Sequence, residues 1–147
     1  MTGTVDREVR EDVADVLVRY ATGIDSRDWE LFRSCFTEDC DVEYPEIGVW
    51  QSADEITEWM RNVHDACGHT LHRITNQVVM QRDDGVTARS YVDGIVMFPD
   101  NEAGTRATGY YDDALVATDE GWKIARRRFT LVFLQVFPDG TNLDLGT

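Results

Sequence analysis

Four successive runs, His69 to Gln81, Val86 to Phe98, Thr105 to Thr118 and Trp122 to Phe137, are rich in branched and aromatic residues and parted by RDDG, PDNEAG and DEG. Branched and aromatic side chains suit a pleated, half-buried surface, and Asp, Asn, Pro and Gly supply the backbone angles of tight turns. Consecutive strands with short connections pair antiparallel, so this part of the chain is committed to a meander. Each run is at least twice the common strand length of about five or six residues. A sheet of such strands bends strongly, and Gly94 and Gly109 are the natural bulge or kink points.

The residues before the meander are helical in pattern. Val9, Val13, Val16, Leu17, Tyr20 and Ile24 recur at spacings of three and four between Asp6 and Ile24, with charged residues between them. Asp28 can cap a short second helix carrying Leu31, Phe32, Cys35 and Phe36, after which TEDCD reads as a turn. Val42 to Gln51 suggests a short irregular hairpin. SADE at Ser52 is a capping box opening a third helix with Ile56, Trp59, Met60 and Val63 on one side, ended by Gly68. Helices followed by a bent sheet make an α+β fold, a cone-shaped α+β barrel with N-terminal helices packed on a strongly curved, mostly antiparallel sheet and a hollow between them.

With 147 residues and 42% hydrophobic content the chain suits a single domain, 1–147. A formal charge of −14 repels phosphate backbones and anionic lipid surfaces, so neither nucleic acid nor membrane is an expected partner. The N-terminus lacks the apolar core of a signal peptide, and Cys35, Cys40 and Cys67 are odd in number with no CxxC spacing. Both features point to a cytoplasmic protein with reduced thiols. His64, Cys67, His69 and His72 crowd together without a standard ligand spacing, so no metal and no other cofactor is expected.

The chemistry-bearing residues are His72, in TLHRITN, and Asp25, in YATGIDSRDWELF at the end of the first helix. A pocket histidine can take a proton near neutral pH, and a carboxylate on its other ring nitrogen fixes the tautomer and stabilises the imidazolium. Asp25 at a helix C-terminus meets the negative end of the dipole and needs a compensating partner such as His72. Alternation places His72, Ile74, Asn76, Val78 and Met80 on one face, making Asn76 a candidate substrate contact. Tyr20, on the apolar stripe, sends its hydroxyl into the core or a cavity. Trp29, Phe32, Trp59 and Trp122 read as core, whereas Trp50 is a candidate for the pocket wall. Asp112 and Asp113 can pair with Arg126, Arg127 and Arg128 across adjacent strands, two of these arginines at the surface and one inside, which alternation alone does not choose. The closing PDGTNLDLGT reads as a tail or a flap over the pocket mouth.

The element order, with DSRDWELF early, HRITN in the middle and GWKIARR near the end, resembles the SnoaL-like branch of the nuclear-transport-factor-2-like superfamily over nearly the whole chain. The resemblance implies a cone fold around an apolar cavity and, on the dehydratase and dehydrochlorinase pattern, an Asp25–His72 dyad without cofactor. It also implies Tyr20 and Tyr44 as hydroxyls facing a substrate oxygen and Arg127 as a cavity arginine. The expected activity is that of a cofactor-independent lyase, a dehydratase acting on a hydrophobic cyclic or polyketide-like molecule. Isomerisation, polyketide cyclisation and epoxide opening need the same parts and remain open, as does a non-catalytic ligand-binding or dimerising module. A rate that rises as His72 loses its proton between about pH 5 and 8 is the expected signature. The convex face of the meander, including FTLVFLQVF, is expected to bury against a second copy in a homodimer or higher homo-oligomer.

Overall fold

Val13, Val16, Leu17, Tyr20 and Ile24 form the fully buried stripe of helix α1 (Arg7–Asp25), as their spacing requires. The computed structural model describes residues 4–138, so most of the terminal segment read as a tail or flap lies outside the described residues. Helix α2 (Trp29–Ser34) starts where the Asp28 side chain accepts from the Leu31 amide. Helix α3 (Ala53–Asp65) starts at a capping box in which Ser52 accepts from the Glu55 amide and the Glu55 carboxylate accepts from that of Gln51.

TEDCD is not a turn. It belongs to strand β1 (Phe36–Tyr44), which forms a hairpin with β2 (Gly48–Trp50). Cys40, Val42 and Tyr44 alternate inward while the acidic residues between them face out, a period of two that the turn-like composition conceals. Strands β3 (Thr70–Arg82), β4 (Gly85–Met97), β5 (Gly104–Thr118) and β6 (Gly121–Phe137) form the antiparallel meander. β1 runs parallel to β6, giving one unclosed sheet in the order β2-β1-β6-β5-β4-β3. The outward carboxylates explain this neighbour: Glu43 pairs with Arg128, and Asp41 approaches Arg126 at 4.0 Å.

Register shifts bend the sheet at Thr75/Val78, Thr108/Gly109 and Ala114/Leu115. Gly109 is thus a bulge position. Gly94 pairs regularly with His72 and Ala107, and its use is close approach rather than bending. The first shift corrects the expected alternation of β3. Asn76 takes a φ of +52° inside the bulge and is exposed, so Gln77 and Val79 turn toward the helices while Val78 and Met80 face out. The three helices cover the concave face, and the buried residues of helices and sheet form one cluster. Among the described residues no helix is long and apolar enough to cross a membrane.

Candidate functional site

Asp25 is the last residue of α1 and His72 the third of β3, the strand on which α1 packs. His72 Nδ1 lies 2.7 Å from Asp25 Oδ1, the His72 amide donates to Oδ2 at 2.8 Å, and the Thr70 hydroxyl donates to Oδ1 at 2.9 Å. Burial alone would raise the Asp25 carboxyl, but the hydrogen bonds from the His72 ring, the His72 amide and Thr70 outweigh it and hold the group below the usual carboxylate value. The carboxylate therefore stays charged and keeps the Nδ1 proton, leaving the Nε2 lone pair of neutral His72 free to act as a base.

Arg27 secures this junction; it lies within DSRDWELF, but nothing in the sequence singled it out. At a φ of +58° it turns back so that its guanidinium donates to the Ile24 carbonyl at the end of α1, to the Thr70 hydroxyl and to the Gly68 carbonyl. A cation at the negative end of the helix dipole offsets the carboxylate's unfavourable position and ties helix to strand.

On the other edge of the imidazole, a Cβ built on Gly94 would lie 3.3 Å from His72 Cδ2 and 3.5 Å from Nε2. Gly94 is the floor on which the imidazole rests. Gly94→Val is expected to push the ring off Asp25 and to lower turnover at least tenfold with little loss of stability; an unchanged rate would show that the ring has room to spare.

His72, but not Asp25, lines a cavity of about 160 Å³ between α1, α3 and the sheet. Its apolar walls include Trp59, Met60, Val92, Val96 and Phe129, and its polar end is formed by Tyr20, Tyr44 and Tyr111. The Tyr20 hydroxyl lies 2.8 Å from that of Tyr44 and 3.2 Å from that of Tyr111. Burial pushes all three phenols well above their usual 10, although the Arg127 cation pulls the other way. They remain neutral donors. Tyr111 is the member that sequence reasoning missed; its alternation with Asp113 and Leu115 along β5 would have placed it inside.

Four residues stand elsewhere than expected. Arg127 is buried, but it lies behind the cavity, over the rings of Tyr20 and Tyr111 at 4.2 and 3.8 Å, bound to Asp113 by two hydrogen bonds of 2.7 and 2.8 Å. Asp112 does not join a ladder with the β6 arginines, because Arg89 opposite it on β4 takes both its oxygens. Trp50 backs the wall rather than forming it: its ring packs 4.6 Å from that of Trp59, which occupies the cavity face. Asn76 lies outside the cavity for the bulge reason given above.

His64 is the second imidazole of the cavity. Burial pushes it down from 6.5 to about 4, so it is neutral in the fold but charged in an unfolded chain below about pH 6.5. Protons bind more to the unfolded state in that window, so stability falls as pH drops from 6.5 toward 4, by about 3 kcal/mol at most. The lowered Asp25 carboxyl acts in the same direction at the acid end. His64→Phe is expected to flatten urea-unfolding stability across that window, and an unaltered slope would locate the acid sensitivity elsewhere.

Among solved structures, this fold is similar to that of a provisionally named aromatic ring hydroxylase of Novosphingobium aromaticivorans, with a TM-score of 0.81 and 27% identity over 91% of this chain and 96% of that one. A provisionally named scytalone dehydratase of the same organism superposes at a TM-score of 0.80 with 19% identity, over 94% of this chain and 93% of that one. A hexachlorocyclohexane dehydrochlorinase of type 2 does so at 0.81 with 16% identity, over 94% and 95%. An uncharacterised protein of Mycobacterium tuberculosis is 30% identical over 128 residues, covering 84% of this chain and 86% of that protein. The family described as SnoaL-like domain matches residues 6–128, which include every residue of the dyad, the tyrosine cluster and the Arg127–Asp113 pair. The chain belongs to the SnoaL-like domain family.

Proposed function

We propose that this protein is a lyase of the dehydratase type that removes water from a hydrophobic cyclic substrate bearing a carbonyl. The observation that carries the reading is the charged Asp25 carboxylate held on Nδ1 of a histidine whose other nitrogen rests at the cavity floor. His72 Nε2 takes the proton from the carbon next to the carbonyl, and the electron pair moves onto the carbonyl oxygen as an enolate. The buried phenols donate to that oxygen, with the Arg127 charge behind them stabilising the negative end. The enolate collapses to expel hydroxide from the adjacent carbon, forming the double bond, and the His72 imidazolium returns its proton to that hydroxide to give water. The balance is one C–H and one C–O bond broken, one C=C bond and one water formed, with no change in oxidation state overall.

Both named lyase activities among the similar structures, the dehydratase and the dehydrochlorinase, are eliminations, which favours elimination over isomerisation, cyclisation or epoxide opening in the same cavity. The test is to incubate the protein with cyclic β-hydroxy ketones of one or two rings and follow enone absorbance. Enone formation that requires His72 supports the reading, and a panel converted no faster than by buffer overturns it.

The assembly belongs to the same proposal. Leu131, Val132, Phe133, Leu134 and Val136 of β6 are all exposed in the single chain, an apolar strip that a second copy would cover. Light scattering at micromolar concentration should give at least twice 16.8 kDa. A species of that single mass would remove the assembly.

A further inference from the structure

The proton-transfer scheme leaves one polar group of the cavity without a task. His64, in the last turn of α3, is only 6% exposed, and its ring packs beside that of His72 on the cavity wall, with ring centres 5.8 Å apart. Its Nδ1 lies 3.0 Å from the Met60 carbonyl oxygen one turn back. A carbonyl only accepts, so Nδ1 carries the ring proton and Nε2 presents a lone pair. That nitrogen has no hydrogen-bond partner among the described residues.

We propose that His64 Nε2 accepts a hydrogen bond from a hydroxyl of the substrate, and that the cavity thereby selects a single ring carrying that hydroxyl. This rests on the reading of the cavity as the substrate site. Its volume of about 160 Å³ sets the size, since an apolar cavity of about 150 Å³ holds one benzene. An ammonium donor is disfavoured because no carboxylate is among the described residues that line the cavity, and that of Asp25, on the other side of His72, already accepts three hydrogen bonds from His72 and Thr70. The same lone pair defines which hydroxyl is held. An imidazole that only accepts at Nε2 cannot protonate a departing hydroxide, so the hydroxyl on His64 is one the product keeps, and the leaving group belongs to His72.

Phenol and toluene, equal in size and differing in one donor, test the assignment without knowledge of the substrate. In the wild-type protein phenol should move the His64 Nε2 resonance in nitrogen NMR while toluene leaves it in place. In His64→Phe the affinity for phenol should fall at least tenfold, to the level of toluene, with toluene binding unchanged. Phenol that binds both proteins equally and perturbs only the tyrosines or His72 overturns this inference and leaves the proposed elimination intact. Two probes that perturb no cavity residue overturn this inference and the choice of cavity together. The catalytic reading fails separately, through turnover that survives the loss of His72.

Discussion

His72→Ala is expected to lower turnover about a thousandfold while KM changes little, because a positioned general base contributes on the order of 10²–10⁴ in rate and the apolar walls that bind substrate remain. Asp25→Asn should cost as much, for a reason visible in the hydrogen bonds. The two carboxylate oxygens now accept from the His72 ring, the His72 amide and Thr70. An amide there keeps one acceptor oxygen and places an N–H₂ group against one of these donors. Where that group faces His72 Nδ1, the imidazole can pair with it only by moving its proton to Nε2, and the base is then blocked in its ground state. Kinetics with the converted β-hydroxy ketone decide the matter. Either variant retaining more than a tenth of the wild-type rate would show that another group takes the proton. Equal losses in the two single variants and in the double variant would show one unit acting together.

Much of this pairing was legible in the amino-acid sequence because it depends on short-range rules. The periodicity of α1 fixes where Asp25 ends the helix, and alternation over the first residues of β3 fixes the side on which His72 projects. Errors began where a local feature resets the phase. One residue in a left-handed conformation, Asn76, shifts the register of β3, and every inference beyond it inverts. β1 was hidden for a different reason: its outward acidic residues compose like a turn and are stabilised as a strand by arginines on β6 distant in the chain. Trp50 and Trp59 were ranked in the wrong order, since which of two stacked indoles reaches the cavity depends on the hairpin and α3 meeting. Arg27 stood within DSRDWELF with no signal of its own, and its role arises from a backbone reversal that brings its guanidinium to the Thr70 hydroxyl.

Asp113→Asn is expected to be the most destabilising of the single changes near the site. Arg127 and Asp113 have no exposed side-chain surface, and their bidentate contact is what makes the buried charges tolerable. A neutral amide leaves the guanidinium charged, and its Nη1 already lacks a partner among the described residues. Breaking such a pair costs about 3–5 kcal/mol, which for a chain of this size lowers Tm by roughly 10 °C. Replacing both members, Asp113→Leu with Arg127→Met, removes both charges at once and should restore most of the stability, because apolar packing of similar volume commonly matches a buried ion pair. The double variant then separates two roles that the single variants confound. If the cation acts on chemistry through the phenols it overlies, the restored protein still turns over at least tenfold more slowly than wild type, with KM preserved, because the enolate oxygen has lost its electrostatic support. A double variant as stable and as fast as wild type would assign the pair to the fold alone and leave stabilisation of the oxygen to the three hydroxyls.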